Sequence, residues 1–336
     1  MKIESRIAAI SELYEVISHL ITDDLAVIHQ KASAFNNWFT KENIVAALEG
    51  AKQYTHPDNL QKWVSQYDLN ETEDKKIGVV MAGNIPLVGF HDYLSVLISG
   101  HTLIAKLSSQ DPFLLPFITD KLIEIEPRFK EKIFFKEKLN DLDAVIATGS
   151  DNTAKYFNYY FSKIPNVIRQ NRTSCAVLTG NENNEELQAL GKDIFQYYGL
   201  GCRNVSKLFV PEGYDFTNLI ESLKGWEHIG QHHKYHNNYD YNKSIYLVNG
   251  EEHLDTGFLL IKRDEGMVSP ISVLFFEPYA DHESLSTRIN EQASKIQCIV
   301  SNDTDLKGSV AIGKAQSPDL WDYADHVDTL AFLTNL

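Results

Sequence analysis

Beyond a polar break at residues 70–76, short apolar runs rich in β-branched residues alternate with segments long enough for helices. This alternation restricts the fold more than any other feature of the chain. Parallel strands need a crossover of about a dozen residues or more, and a helix usually supplies it. The spacing predicts strands at 77–82, 102–107, 144–148 and 167–169, with helices over 86–98, 112–125 and 152–162, which make one doubly wound sheet. From Ser174 a second series follows: a strand at 176–178, a helix over 184–198, and strands at 207–210, 245–248, 258–261, 273–276, 298–301 and 310–312. Ahead of both, Ile7, Ile10, Leu13, Val16, Ile17 and Leu20 recur at helical spacing and predict a helical lead-in over residues 1–66. No repeat, low-complexity tract or long linker interrupts the pattern. The expectation is therefore an α/β fold in two domains, residues 1–172 and 173–336, packed closely together.

At 336 residues, 43% of them hydrophobic, the chain can bury two cores of ordinary size. Its formal charge of −15 repels phosphate backbones and anionic membrane surfaces, so neither nucleic acid nor a membrane surface is an expected partner. No run approaches the roughly 18 apolar residues of a spanning helix. Residues 1–8 lack the apolar core of a secretory signal, so a cytoplasmic protein is expected. The three cysteines, Cys175, Cys202 and Cys298, are too few and too scattered for a disulfide framework or a CxxC metal site.

Three segments directly follow predicted strands, where α/β sheets place ligands. In Met81-Ala82-Gly83-Asn84-Ile85-Pro86, Gly83 allows an unusual backbone and Pro86 suits a first helical turn. Asn84 there either caps the helix or donates an N–H to a developing oxyanion. In Lys106-Leu107-Ser108-Ser109-Gln110-Asp111-Pro112, Lys106 stands where a cofactor ribose or phosphate could lie, or is simply solvated. Thr148-Gly149-Ser150 offers backbone N–H groups to a phosphate, or an ordinary helix cap.

A fourth segment, Tyr197-Tyr198-Gly199-Leu200-Gly201-Cys202-Arg203-Asn204, sets a cysteine between polar and glycine residues. Close approach of a substrate is possible there, and Arg203 would favour the reactive thiolate. Cys175 and Cys298 lie within apolar β-runs and are expected to be core residues. The pair Gly199 and Gly201 fails the dinucleotide fingerprint, because Asn204 takes the third glycine position. No P-loop, HExxH or GxSxG pattern occurs. The histidine-rich stretch from His228 to His236 carries Lys234, which repels a cation. No metal is expected there, and a polar surface or substrate lid is, with Tyr239 to Asn242 as part of it.

Together these segments resemble the aldehyde dehydrogenase superfamily and, within it, the LuxC-type acyl-CoA reductases, from about Lys75 onward. The superfamily's oxyanion asparagine motif corresponds to residues 82–86, its cofactor lysine motif to residues 106–109, its Gly-Ser cofactor loop to residues 148–150 and its cysteine loop to Gly201-Cys202, all in the family's order. The resemblance implies an NAD(P)-binding domain over 1–172 and a cysteine domain over 173–336, with the active site between them. It assigns Cys202 and Asn84 to catalysis, and Lys106, Ser108, Ser109, Gly149 and Ser150 to the cofactor. Glu265 would touch the nicotinamide ribose, in a loosely matching segment, Asp264 to Pro270.

Two departures carry information. Where hydrolytic members place the glutamate that activates water, this chain has Arg169, and a cation cannot serve as that base. Ser109 replaces a glutamate that contacts the adenosine ribose in many NAD-preferring relatives, which removes a repulsion against a 2′-phosphate. The implied activity is NADPH-dependent reduction of a fatty acyl thioester to an aldehyde through a cysteine thioacyl intermediate, with NADH as the alternative cofactor. The donor would be an acyl-CoA or an acyl-protein, and an acyl-activating partner enzyme and self-association are implied as well. A thioester-dependent acyltransferase without hydride transfer and a non-catalytic assembly subunit are the alternatives.

Overall fold

The lead-in is helical because its apolar residues recur on one face. In the computed structural model, helix α1 (Ile3–His19) buries Ile10, Leu13 and Ile17 and passes through a π-helical turn, Leu20–Asp24, into α2 (Leu25–Ser33). Helix α3 (Lys41–Thr55) starts where the Thr40 hydroxyl accepts the Asn43 N–H, and α4 (Pro57–Val64) starts on a proline. The structure describes residues 1–69 and 73–336; Asn70, Glu71 and Thr72, part of the expected polar break, lie outside the described residues.

The first unit continues with β1 (Lys76–Val80), α5 (Phe90–Ser99), β2 (Thr102–Lys106), α6 (Leu114–Ile125), β3 (Ile133–Phe135), β4 (Ala144–Thr148), α7 (Asp151–Tyr160) and β5 (Asn166–Arg169). All five strands are parallel, in the order β3-β2-β1-β4-β5. The order reverses between β1 and β4, which makes the carboxyl ends of those strands the topological switch point of a doubly wound sheet. Strand β3 is absent from the sequence expectation because three residues flanked by charge give no periodicity to read. Helix α5 begins at Phe90 rather than at Pro86. Leu87, at φ 56°, cannot continue a right-handed helix, and Pro86 falls in a turn.

The second unit holds β6 (Thr173–Val177), α8 (Asn184–Phe195), β7 (Val205–Pro211), α9 (Thr217–Leu223), α10 (His233–Asn249), β8 (Leu254–Asp255), β9 (Leu260–Arg263), β10 (Val273–Tyr279), α11 (His282–Glu291) and β11 (Ile296–Val300). Its sheet runs β11-β6-β7-β10-β9-β8, parallel except for the β8–β9 pair. Two expected strands are corrected here. Residues 245–248 form the end of α10, whose buried stripe Tyr235, Tyr239, Asn242 and Tyr246 has helical spacing while Leu247 and Val248 are exposed. Residues 310–312 contribute a single bridge, Val310 to Val300.

The second unit spans Arg172–Pro318, and Asp319–Leu336 belong to the first, where the sequence reading carried the second domain to residue 336. The return is fastened by polar contacts that sequence alone does not reveal. The Trp63 indole donates to the Tyr323 hydroxyl at 2.6 Å, and His101 Nε2 lies 2.9 Å from the Leu333 carbonyl in α12 (Thr329–Thr334). Among the described residues no helix is long and apolar enough to cross a membrane.

Candidate active site

Asn84 lies half-buried in the turn between β1 and α5. The N-cap of α5 is Gly89, so Asn84 does not cap that helix. The loop around it is fixed from several directions. Gly83 sits so close to the next loop that a Cβ there would come within 2.6 Å of Ser108 Oγ, and its carbonyl accepts from Asn36 Nδ2 at 3.2 Å. The Asp111 carboxylate accepts the Leu87 N–H at 3.1 Å and the Leu114 N–H at 3.2 Å. Burial raises the Asp111 carboxyl above its ordinary value, against the pull of those N–H donors.

These contacts bring the Asn84 loop and the Lys106 loop together at one edge of the first sheet. Lys106 and Ser109 are exposed and Ser108 is partly buried, and the Met81 N–H donates to the Lys106 carbonyl at 3.0 Å. On the other side of β1, Gly149 and Ser150 directly follow β4. Ser150 is the N-cap of α7, where its hydroxyl accepts the Thr153 N–H at 3.3 Å. Lys136 is an addition that the sequence reading missed. It is exposed just past β3, its N–H donates to the Ala105 carbonyl at 2.9 Å, and a second lysine thereby stands at the carboxyl edge that carries Lys106.

In the second unit Cys202 is exposed, whereas Cys175 and Cys298 are buried. Burial pushes the Cys175 thiol up to about 12, and it raises the Cys298 thiol too, which Ser174 and Arg203 partly oppose. Arg203, which the sequence reading set beside the Cys202 thiolate, is thus engaged with Cys298. The Cys202 loop is held by Asn204, only 2% exposed, whose Nδ2 donates to the carbonyls of Asp193, Ile194 and Gln196 while its Oδ1 accepts the Gly201 N–H at 2.8 Å. Ser174 Oγ donates to the Cys202 carbonyl at 3.0 Å. Tyr197 and Tyr198, both near φ 57°, precede the loop in the left-handed region, a strained start that these bonds hold in place. The signal for Asn204 was visible as the residue that spoiled the glycine fingerprint.

Glu265 is exposed in the loop after β9. Fully buried Lys207 on β7 donates from Nζ to the Asp264 carbonyl and pairs with Glu277 at 2.8 Å, and Arg288 binds Glu277 at 2.9 Å and the Glu265 carbonyl at 3.3 Å. Burial lowers the Lys207 ammonium, with Glu277 pulling the other way. With the Ser206 hydroxyl donating to the Met267 carbonyl at 2.7 Å, the strand after Cys202 is tied to the Glu265 loop. A lysine inside an apolar strand was the available clue.

Arg169 is 6% exposed. Its guanidinium lies 2.6 Å from Asp92 Oδ2 on α5 and donates to the Thr329 hydroxyl at 2.8 Å, so the arginine that the resemblance set at the place of a hydrolytic glutamate is part of a core ion pair. The histidine-rich stretch and Tyr239 are engaged in local contacts. His232 is the N-cap of α10, His236 pairs with Asp240 at 3.4 Å, and Tyr239 turns inward to donate to Asp255.

The family profile described as acyl-CoA reductase (LuxC) matches residues 12–224. No curated protein matches. Among solved structures, the NAD+ complex of an aldehyde dehydrogenase from Bacillus cereus is similar, with a TM-score of 0.64, 16% identity, and coverage of 91% of this chain and 73% of that one. A mutant of aldehyde dehydrogenase C from Pseudomonas syringae, in complex with NAD+ and octanal, gives 0.66 at 12% identity over 91% and 74%. Aldehyde dehydrogenase 21 from Physcomitrella patens, with the product succinate, gives 0.66 at 13% identity over 91% and 74%. The α/β fold is that of the aldehyde dehydrogenases, and the chain belongs to the LuxC family of acyl-CoA reductases.

Proposed function

We propose that this protein reduces an acyl-CoA to an aldehyde with NADPH, using Cys202 as the nucleophile. The observation that carries the reading is the contrast among the cysteines: two are sealed in the core with raised thiol values, and Cys202 is exposed in a loop braced by Asn204 and Ser174. Attack of its thiolate on the thioester carbonyl forms the C–S bond. The Asn84 amide and the Cys202 backbone N–H donate to the oxyanion, and collapse expels CoA as its thiolate.

The residues at the carboxyl edge of the first sheet fit a dinucleotide. The strand order reverses there, Lys106 is exposed at the end of β2, and Gly149 and Ser150 open α7 at the end of β4. Lys106, Ser108, Ser109, Gly149, Ser150 and Glu265 would hold the cofactor. Held there, a nicotinamide cofactor would supply the hydride by which the acyl group on Cys202 is reduced to a thiohemiacetal. Loss of the aldehyde then returns the sulfur. Ser109 and Lys136 favour the 2′-phosphate of NADPH, one by withholding a carboxylate and the other by adding a cation. Arg169, paired to Asp92, supplies no base for water, which leaves the acyl-enzyme to reduction or to CoA.

Anaerobic incubation with NADPH and acyl-CoAs of graded chain length should consume NADPH and release aldehyde in equal amounts. Cys202→Ala should abolish acyl labelling while NADPH still binds. Undiminished labelling in that variant, or acyl-CoA consumption without loss of NADPH, would refute the reading.

A further inference from the structure

We propose that Asn36 and Asp111 are positioning residues that set the place of the Asn84 amide by gripping the loop on either side of it. The inference rests on the reading of Asn84 as an oxyanion donor and gives the helical lead-in a part in the reaction.

An oxyanion donor works only if its nitrogen lies about 2.7–3.1 Å from where the charge develops. A misplacement of about 1 Å costs on the order of a hundred-fold in rate. Residues 81–89 belong to neither helix nor strand, so side chains from elsewhere must supply that accuracy.

Asn36 grips one side. It is 6% exposed, its own N–H donates to the Ala32 carbonyl at 3.2 Å, and its carbonyl accepts from Phe39 at 2.9 Å. Its Oδ1 accepts the Trp38 N–H at 3.1 Å, which fixes the amide's orientation and turns Nδ2 toward the Gly83 carbonyl, the residue before Asn84. Asp111 grips the other side. Leu87, at φ 56°, is in a conformation that a leucine keeps only when its surroundings impose it, and the Asp111 carboxylate holds its N–H. The same carboxylate holds the Leu114 N–H of α6, and Ser108 packs against Gly83, so the grip also ties Asn84 to the Lys106 loop.

Asn36→Asp keeps the size of the side chain and the bond from Trp38 but sets an oxygen against the Gly83 carbonyl. With the acyl-CoA turned over fastest in the graded series, Cys202 acylation should slow about ten- to hundred-fold, while KM and the NADPH dissociation constant stay within about two-fold. In an Asn84→Ala background the same substitution should cost no more than about two-fold, because a misplaced loop cannot harm a donor already removed. Asp111→Asn should repeat the pattern and serves if Asn36→Asp does not fold. Wild-type acylation rates in both clamp variants would overturn the proposal, as would losses that multiply in full with Asn84→Ala. Should Asn84→Ala itself acylate as fast as the wild type, the oxyanion reading fails and the clamp fails with it. A slow Asn84→Ala beside fast clamp variants removes the clamp alone.

Discussion

Asp92→Asn tests the claim that Arg169 belongs to the core of the first unit. The two side chains are 7% and 9% exposed and 2.6 Å apart, so neutralising the aspartate strands a guanidinium away from water. Breaking a buried pair from one side costs about 3–5 kcal/mol. The surviving bond to the Thr329 hydroxyl places this case near 3 kcal/mol, the lower end. At about 2–4 °C per kcal/mol for a unit of this size, the melting temperature should fall by roughly 10 °C. Removing both charges, as Asp92→Leu with Arg169→Met, should return stability to within about 1 kcal/mol of the wild type, because two apolar side chains leave no stranded charge. Arg169→Glu sets two carboxylates together and should unfold the first unit rather than supply the base that the proposed acyl-enzyme lacks. Urea unfolding followed by the fluorescence of Trp63, buried in that unit, measures all three. An Asp92→Asn variant within about 0.5 kcal/mol of the wild type would refute the argument, and so would an Arg169→Glu variant that folds normally and releases free acid.

Burial pushes the Asp193 carboxyl up to about 6, outweighing its bonds from the Gly313 and Ala315 N–H groups, so the folded state holds that proton more tightly than the unfolded chain does. Its contribution to stability is therefore complete below the unfolded value of 3.8 and is lost as pH rises through about 6. Wild-type stability relative to Asp193→Asn should fall by about 2–3 kcal/mol between pH 4 and pH 7 in urea unfolding, and a rise would contradict the assignment. Lys136→Glu should raise KM for NADPH at least about ten-fold while changing KM for NADH by less than about three-fold, since a carboxylate repels the 2′-phosphate and little else. Equal changes for both cofactors would remove Lys136 from cofactor selection.

Four strands of the first sheet were legible because each is a local apolar run, whereas β3, three residues between lysines, was not. The strand expected at 144–148 is β4, and those expected at 77–82 and 102–107 differ from β1 and β2 only at their ends. Ile245 to Val248 misled because four apolar residues suit a strand as well as the last turn of a helix, and only the tyrosine stripe upstream decides between them. The exposure of Cys202 and the burial of Cys175 and Cys298 followed from polar against apolar neighbours. What sequence could not supply was partnership. Asn36 is an unremarkable turn asparagine until the fold brings the Gly83 carbonyl to it from 47 positions away, and Lys207 is an anomaly in a strand until Asp264 and Glu277 meet it.

Those partnerships share one physical pattern. A buried amide or ammonium costs several kcal/mol if left unbonded, so each must be matched by backbone groups whose positions it then fixes. Asn36 and Asp111 do this for the Asn84 loop, Asn204 and Ser174 for the Cys202 loop, and Lys207 with Arg288 for the Glu265 loop. Every loop that sequence reasoning nominated for chemistry at those three places is thus held by a side chain it did not nominate. Arg169 follows the same pattern with a different consequence. Because its charge is already satisfied by Asp92 and Thr329, Arg169 is built into the packing of the first unit's core, and exchanging it alone leaves its buried partner unmatched.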